Sequence, residues 1–162
     1  MTAALIIDFE RLQAPSDELA SAIAAAGAAG LSPIIVVGAA VDSGDAVWTL
    51  EDESNGDNPL SALQAALDLL DRERSADSVV VIDAAHGPTP DHIAALIDLG
   101  SDSSVVATKY RYARALPAYL GWQVWQAVMA LDETPLFSWI DSHPSAVGEV
   151  WVASAPSNVR TL

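Results

Sequence analysis

The stretch VVVIDAAHGPTPDHIAALIDLG, residues 79–100, contains the pattern that decides the fold. Four apolar residues lead to Asp83, a turn of small residues follows, and a helix is expected from Thr89 onward. A short apolar run without alternation is typical of a strand that is buried on both faces, as in a parallel sheet. Such sheets bind ligands at the carboxyl ends of their strands, so Asp83 stands where a functional carboxylate is expected.

The same alternation of apolar strand and helix continues on both sides of this stretch. Strands are predicted at 3–9, 32–39, 45–51, 77–83, 103–110 and 148–154, and helices at 15–30, 59–73, 89–100, 120–131 and 135–143. The strands at 3–9, 33–38 and 78–83 are expected near the centre of the sheet, and 45–51 at an edge. The pattern predicts one three-layer α/β/α domain over residues 1–162, with a mostly parallel sheet of about six or seven strands.

The composition excludes several classes of protein. The chain has no cysteine, which rules out disulfides and thiolate chemistry. Twenty-two acidic residues against seven basic ones give a net charge of −15, which disfavours nucleic acid and anionic membranes as partners. A proteome that is acidic throughout would produce the same bias. No apolar run is long enough to cross a bilayer and the first residues do not resemble a signal peptide, so we expect a cytoplasmic protein without a membrane partner.

Four segments together resemble one enzyme family, the MobA-like nucleotidyltransferases, which attach GMP or CMP to molybdopterin. They are SPIIVVGA (32–39), NPLSALQAALDLL (58–70), DSVVVIDAAHGPTPDHIAALI (77–97) and the acceptor-side half at 105–144. The resemblance implies a sheet of the nucleotide-diphospho-sugar transferase type. It also implies GTP or CTP as the donor, a phosphorylated pterin as the acceptor and Mg²⁺ as the cofactor.

The segment after the first strand departs from that family. The family has a glycine-rich loop, Gly-Gly-x-Ser-x-Arg-Met-Gly followed by a lysine, whereas this chain reads LIIDFERLQAPSDEL over residues 5–19, without glycine or lysine. Only Arg11 could neutralise phosphate there, and Asp8 and Glu10 oppose it. Phosphate loops act through backbone amides and cations, so we expect a triphosphate to bind weakly or not at all.

The resemblance assigns a metal-binding aspartate to the end of the strand at 77–83. Either Asp83 is that residue, or the alignment slips and Ala85 occupies its place; alternatively, Asp83 is only a polar strand end. His86 is a second candidate ligand or a loop residue. On the acceptor side the resemblance retains Pro117 of a Gly-His-Pro triplet, Asp132 of a Gly-Asp-x-Gly turn, and Asn158 near the chain end.

A cluster of cations in KYRYAR is not explained by the resemblance. Lys109, Arg111 and Arg114 are three of the seven basic residues and lie within six positions. They are a candidate anion site for a phosphorylated pterin or for the acidic surface of a partner, or else they are solvated cations that damp the negative field.

Two main functions remain open from the sequence, beside a third and less supported one, a regulator that binds a small anion at Lys109–Arg114. The first is a pseudoenzyme, a binding or scaffold protein that keeps the fold and is linked to molybdenum cofactor biosynthesis, with a nucleotide, a phosphorylated pterin or another protein as partner. The second is an active GTP- or CTP-dependent molybdopterin nucleotidyltransferase. The missing phosphate loop favours the first.

Overall fold

The computed structural model of the chain describes residues 1–8, 17–38, 47–50, 58–111, 113–132, 134–144 and 147–153. Its strands are β1 (Thr2–Ile7), β2 (Ile34–Val37), β3 (Val47–Leu50), β4 (Ser78–Asp83), β5 (Val105–Tyr110), β6 (Ala113–Gly121) and β7 (Val147–Val152). Its helices are α1 (Asp17–Ala28), α2 (Pro59–Glu73), α3 (Pro90–Gly100), α4 (Trp122–Met129) and α5 (Leu136–Ser142), and a 3₁₀ turn covers Ala84–His86.

The strands form one mixed sheet in the order β3-β2-β1-β4-β6-β5-β7. Within the described ranges every neighbouring pair is parallel except the two pairs that involve β6. The strand of the opening stretch, β4, is the fourth of the seven, and β3 lies at an edge. The predicted α/β class, the mostly parallel sheet and the central position of β4 are confirmed.

Helices cover both faces of this sheet, which makes three layers. One apolar cluster packs α2, α4 and α5 against one face. A second cluster packs α1 and α3 against the other. Strands β1, β2 and β4 are buried along nearly their whole length, because each contributes alternate side chains to the two clusters.

Local signals in the sequence set the start of α3 at the carboxyl edge of the sheet and the end of α1 at the opposite edge. The Thr89 hydroxyl accepts a hydrogen bond from the His92 amide and caps α3, whose first residue is Pro90. After α1 the chain turns at Gly30, where φ is +76°. The Leu31 amide donates to the Ala26 carbonyl across that turn, which closes the helix. The first turn of α1 lies beside the 3₁₀ turn that follows β4 and precedes α3.

The strand β6 was not predicted, and the helix predicted at 120–131 begins only at Trp122. A proline in the middle of a segment argues against a strand, because it cannot donate to the ladder. Here Pro117 falls where the register between β5 and β6 shifts: Ala107 pairs with Ala118 and Thr108 with Ala115. The strand tolerates Pro117 because it lies in this bulge, outside the paired positions.

None of the helices in the described ranges is long and apolar enough to span a membrane.

Candidate functional site

Two buried aspartates lie at adjacent strand ends on the carboxyl edge of the sheet. In the parallel pairing of β1 with β4, Ile7 lies opposite Asp83, and Asp8 follows Ile7 directly. Asp8 is 6% exposed and Asp83 is 3% exposed. The fold therefore brings both carboxylates to adjacent strand ends, which is the ligand-binding edge of an α/β sheet.

The end of β2 holds the backbone of Asp8 in place. The Asp8 amide donates to the Val37 carbonyl at 3.0 Å. The next residue, Gly38, has φ +100°, and a Cβ added there would lie 2.8 Å from the Asp8 carbonyl oxygen. Only glycine combines this φ with such a close approach of two backbones.

The Asp83 carboxylate makes its contacts within its own turn. One oxygen accepts from the Ala85 amide at 3.0 Å and so caps the 3₁₀ turn. The other oxygen lies 3.3 Å from Nδ1 of His86. An ionised carboxylate can only accept, so His86 donates from Nδ1. The structure thus joins two candidate residues, Asp83 and His86, as one pair.

A cavity of about 360 Å³ opens beside this pair, between the start of α1 and the 3₁₀ turn. Its walls are Asp17, Glu18 and Ser21 on one side and Ala85, His86 and Gly87 on the other. None of these six lining residues is a lysine or an arginine. In volume the cavity falls within the range of sites for small molecules.

The electrostatics of the cavity oppose an anion. Helix N-termini attract phosphate because their amides are unsatisfied and the helix dipole is positive there. The first turn of α1 already carries the carboxylates Asp17 and Glu18, which offset that dipole. A phosphate approaching α1 would meet two negative charges beside the buried Asp8 and Asp83.

Two of the three residues in the cation cluster, Lys109 and Arg114, are already paired with carboxylates and so do not form an open anion site. The Arg114 guanidinium bonds to Glu149 through Nε at 2.7 Å and Nη2 at 2.6 Å, and to Asp141 through Nη1 at 2.7 Å. Lys109 lies 3.8 Å from the same Glu149. Burial by itself would lower the pKa of Arg114, but the bonds to Asp141 and Glu149 outweigh it and raise that pKa. An anion would have to compete with these carboxylates for Lys109 and Arg114, whereas Arg111 is exposed in the turn after β5.

A hydrogen-bonded chain that the sequence did not indicate links α3 to the acceptor-side candidate Pro117. The Thr108 hydroxyl donates to the Pro117 carbonyl at 2.7 Å, and Nε2 of His92 lies 3.0 Å from the same hydroxyl oxygen. Since the carbonyl can only accept, His92 is the donor to Thr108. Burial lowers the pKa of His92 from its ordinary value. No sequence signal predicts this chain, because it depends on the placement of β6.

The remaining candidates are scattered or lie outside the described residues. Asp132 is exposed between α4 and α5. Arg11, Glu10 and Asn158 fall outside the described ranges. Within those ranges no group of three or more histidine, aspartate or glutamate side chains is placed to hold a metal ion. Of the candidates, the described residues therefore bring Asp83 and His86 into contact.

With one antiparallel strand in an otherwise parallel sheet, the chain has the α/β fold of solved nucleotidyltransferases, the nucleotide-diphospho-sugar transferase type. Sequence comparison gives no match to a protein-family model or to a curated protein.

Three solved proteins illustrate the structural likeness. Rv0371c from Mycobacterium tuberculosis superposes with a TM-score of 0.72 at 19% identity, over 95% of this chain and 89% of that one. A nucleotidyl transferase from Methanothermobacter gives a TM-score of 0.69 at 14% identity, over 95% and 88% of the two chains. The 4-diphosphocytidyl-2C-methyl-D-erythritol synthase of Anaerococcus prevotii gives 0.73 at 10% identity, over 94% and 89%. At these identities the likeness establishes the fold.

Rv0371c has also been solved in complex with manganese, and that structure superposes with a TM-score of 0.71 at 16% identity, over 95% of this chain and 89% of that one. A protein of this fold therefore binds a divalent metal ion.

Proposed function

We propose that the protein uses a nucleotidyltransferase fold as a non-catalytic binding or scaffold protein. The observation that carries the proposal is the start of α1, where the fold would hold a triphosphate. Asp17 and Glu18 occupy it, and the connection from Asp8 to Asp17 contains neither glycine nor lysine. Nucleotidyl transfer requires the charge of the triphosphate to be offset by cations, amides and metal, and the described part of this edge supplies carboxylates instead.

The energetic consequence is large. A charge-assisted hydrogen bond contributes roughly 1.5–3 kcal/mol, so the loss of three such bonds forfeits about 4 to 9 kcal/mol. That loss turns a micromolar site, at about −8 kcal/mol, into one that is millimolar or weaker.

The proposed biological setting is molybdenum cofactor maturation. Support comes from the resemblance of residues 32–39, 58–70, 77–97 and 105–144 to the MobA-like family. The proposed ligand or partner is a phosphorylated pterin, a nucleotide or another protein of that process, and an anionic ligand would engage Lys109 and Arg111 in preference to the start of α1.

The second candidate is an active transferase that uses GTP or CTP with Mg²⁺. Two observations favour it: Asp83 lies at the end of β4, where the resemblance places a metal aspartate, and a neighbour in fold binds manganese.

Calorimetry of GTP and CTP, with and without Mg²⁺, distinguishes the two candidates. Wild type is compared with Asp83→Ala and with the double variant Lys109→Ala, Arg111→Ala, which leaves the ion pairs of Arg114 intact. We expect binding at or beyond about 1 mM, weakened by the double variant. We also expect no pyrophosphate release above a blank without protein when a molybdopterin acceptor is supplied.

The opposite pattern supports the active enzyme. Magnesium-dependent binding tighter than about 10 µM, lost in Asp83→Ala and untouched in the double variant, would contradict the proposal. Pyrophosphate release that requires Asp83 would do the same.

A further inference from the structure

The surroundings of Asp83 do not fit a divalent metal ion. The Asp83 side chain is 4% exposed, so almost no solvent side remains for the waters that Mg²⁺ keeps. Both oxygens already accept hydrogen bonds, one from the Ala85 amide and one from Nδ1 of His86. Nor does the described part of the chain supply the further carboxylates that a metal site requires.

The same contacts determine which ring nitrogen of His86 carries the proton. Because Asp83 accepts from Nδ1, the neutral imidazole has its proton on Nδ1 and its lone pair on Nε2. Within the described ranges no hydrogen bond is made by Nε2, and His86 lines the cavity beside α1. A buried carboxylate that orients an imidazole is the usual arrangement for a histidine that acts on a ligand through its other nitrogen.

We infer that Asp83 is a positioning residue that holds His86 with Nε2 as a hydrogen-bond acceptor facing the cavity, and that the cavity binds a small organic cation. The walls offer the acceptor Nε2, the Ser21 hydroxyl and the carboxylates of Asp17 and Glu18, with no cation among the described lining residues. A ligand with ammonium or guanidinium N–H groups complements this set, and a phosphate does not. The inference goes beyond the proposed function, because it adds a cation site at the start of α1 to the anion site proposed at Lys109 and Arg111.

Nitrogen NMR of the imidazoles tests the positioning of His86 by Asp83 and needs no ligand. At a pH where histidine is neutral, we expect His86 to show a protonated Nδ1 and an unprotonated Nε2. In Asp83→Asn, the amide oxygen can keep the Ala85 bond while the NH₂ group faces His86, so the tautomer reverses. Asp91→Asn, an exposed carboxylate in the first turn of α3, is the matched control and leaves the tautomer unchanged.

Two results would overturn the positioning role. One is a wild-type His86 with its proton on Nε2, and the other is a tautomer that Asp83→Asn does not alter.

Manganese provides an independent check, because a bound Mn²⁺ broadens nearby resonances. Selective broadening of the Ala85 and His86 amides, abolished in Asp83→Asn, would make Asp83 a metal ligand; we expect no such selectivity.

Agmatine, which carries an ammonium and a guanidinium group, tests whether the cavity binds a small organic cation. In the wild type we expect agmatine to cause saturable shifts of the His86 ring signals. We expect its affinity to be about tenfold weaker in Asp83→Asn. In His86→Phe we expect no saturable shifts of the Ala85 and Gly87 amides. Asp98→Asn, an exposed carboxylate of α3 away from the cavity, controls for general attraction to an acidic chain. If Asp98→Asn weakens binding as much as Asp83→Asn does, the cavity is not a site.

These outcomes are separate from those of the nucleotide experiment. Pyrophosphate release would refute the non-catalytic function and leave the His86 tautomer as measured. A failed tautomer or agmatine experiment would leave the nucleotide result untouched.

Discussion

Gly38 is the residue whose backbone most directly sets the position of Asp8. Its φ of +100° is unfavourable for any side chain, and its would-be Cβ meets a backbone atom that cannot rotate away. We expect Gly38→Ala to lower the free energy of unfolding by about 1–3 kcal/mol, as measured by urea denaturation.

Gly27 is the matched control for that substitution. It lies exposed within α1, and nothing stands within 4 Å of a Cβ added there. Alanine is the better helix former, so we expect Gly27→Ala to raise the free energy of unfolding by about 0.5–1 kcal/mol. Equal effects of the two substitutions would show that the close approach of Gly38 to Asp8 is not the cause.

Arg114 ties three elements together, since its guanidinium on β6 contacts Asp141 of α5 and Glu149 of β7. The Arg114 side chain is only 14% exposed, so its loss leaves Glu149 poorly compensated in a region of low solvation. We expect Arg114→Met to lower the free energy of unfolding by about 2 kcal/mol. Amide exchange in β7 should accelerate more than exchange in β1.

An exposed ion pair provides the comparison. Arg72 lies 2.9 Å from Asp68 on α2, and the two side chains are 66% and 58% exposed. Pairs of this kind contribute about 0.3–0.5 kcal/mol, so Arg72→Met should change stability by no more than that. If Arg114→Met costs as little as Arg72→Met, the buried network is not what holds β7 and α5.

How far the elements could be predicted depends on the physical origin of each signal. The runs AALII, PIIVV and VVVI are apolar because both sheet faces are covered, and this signal is strong in sequence. The segment ARALPAYLG lacks that regularity, since Pro117 interrupts it at a bulge that exists only once β5 is in place. The sequence could therefore predict β1, β2 and β4, but not β6.

For the candidate site too, the sequence predicts the positions of single residues but not the contacts that the fold makes between them. The position of Asp83 at a strand end follows from the length of the apolar run, whereas its bond to His86 depends on the geometry of the 3₁₀ turn. The clustering of Lys109 and Arg114 was visible in the sequence, but Glu149 and Asp141 approach them from elements about 30 residues away. Partners that distant in sequence leave no local pattern.

The whole molecule carries 22 acidic and 7 basic residues, for a net charge of −15, and this charge repels itself in the compact state. We expect the free energy of unfolding to rise by about 1 kcal/mol between about 0.01 M and about 1 M NaCl, as the Debye length falls from about 30 Å to about 3 Å. Urea denaturation at several salt concentrations measures the slope.

The sequence pI of about 4.1 provides the control for that slope. Near that pH the net charge is close to zero, so the stabilisation by NaCl should shrink strongly. A slope as steep near the pI as at neutral pH would mean that NaCl acts on apolar burial and not on charge.

The position of β6 between β4 and β5 has a consequence for synthesis on the ribosome. Strands β1 to β4 can pair as they emerge, because each strand after β1 finds one parallel neighbour already made. One side of β4, however, waits for β6, so the nascent polypeptide presents the bare edge of VVVI until Gly121 has been translated. An open edge of this kind invites pairing with foreign strands. The interval between translation of Asp83 and of Gly121 is therefore when a chaperone would protect the emerging protein most.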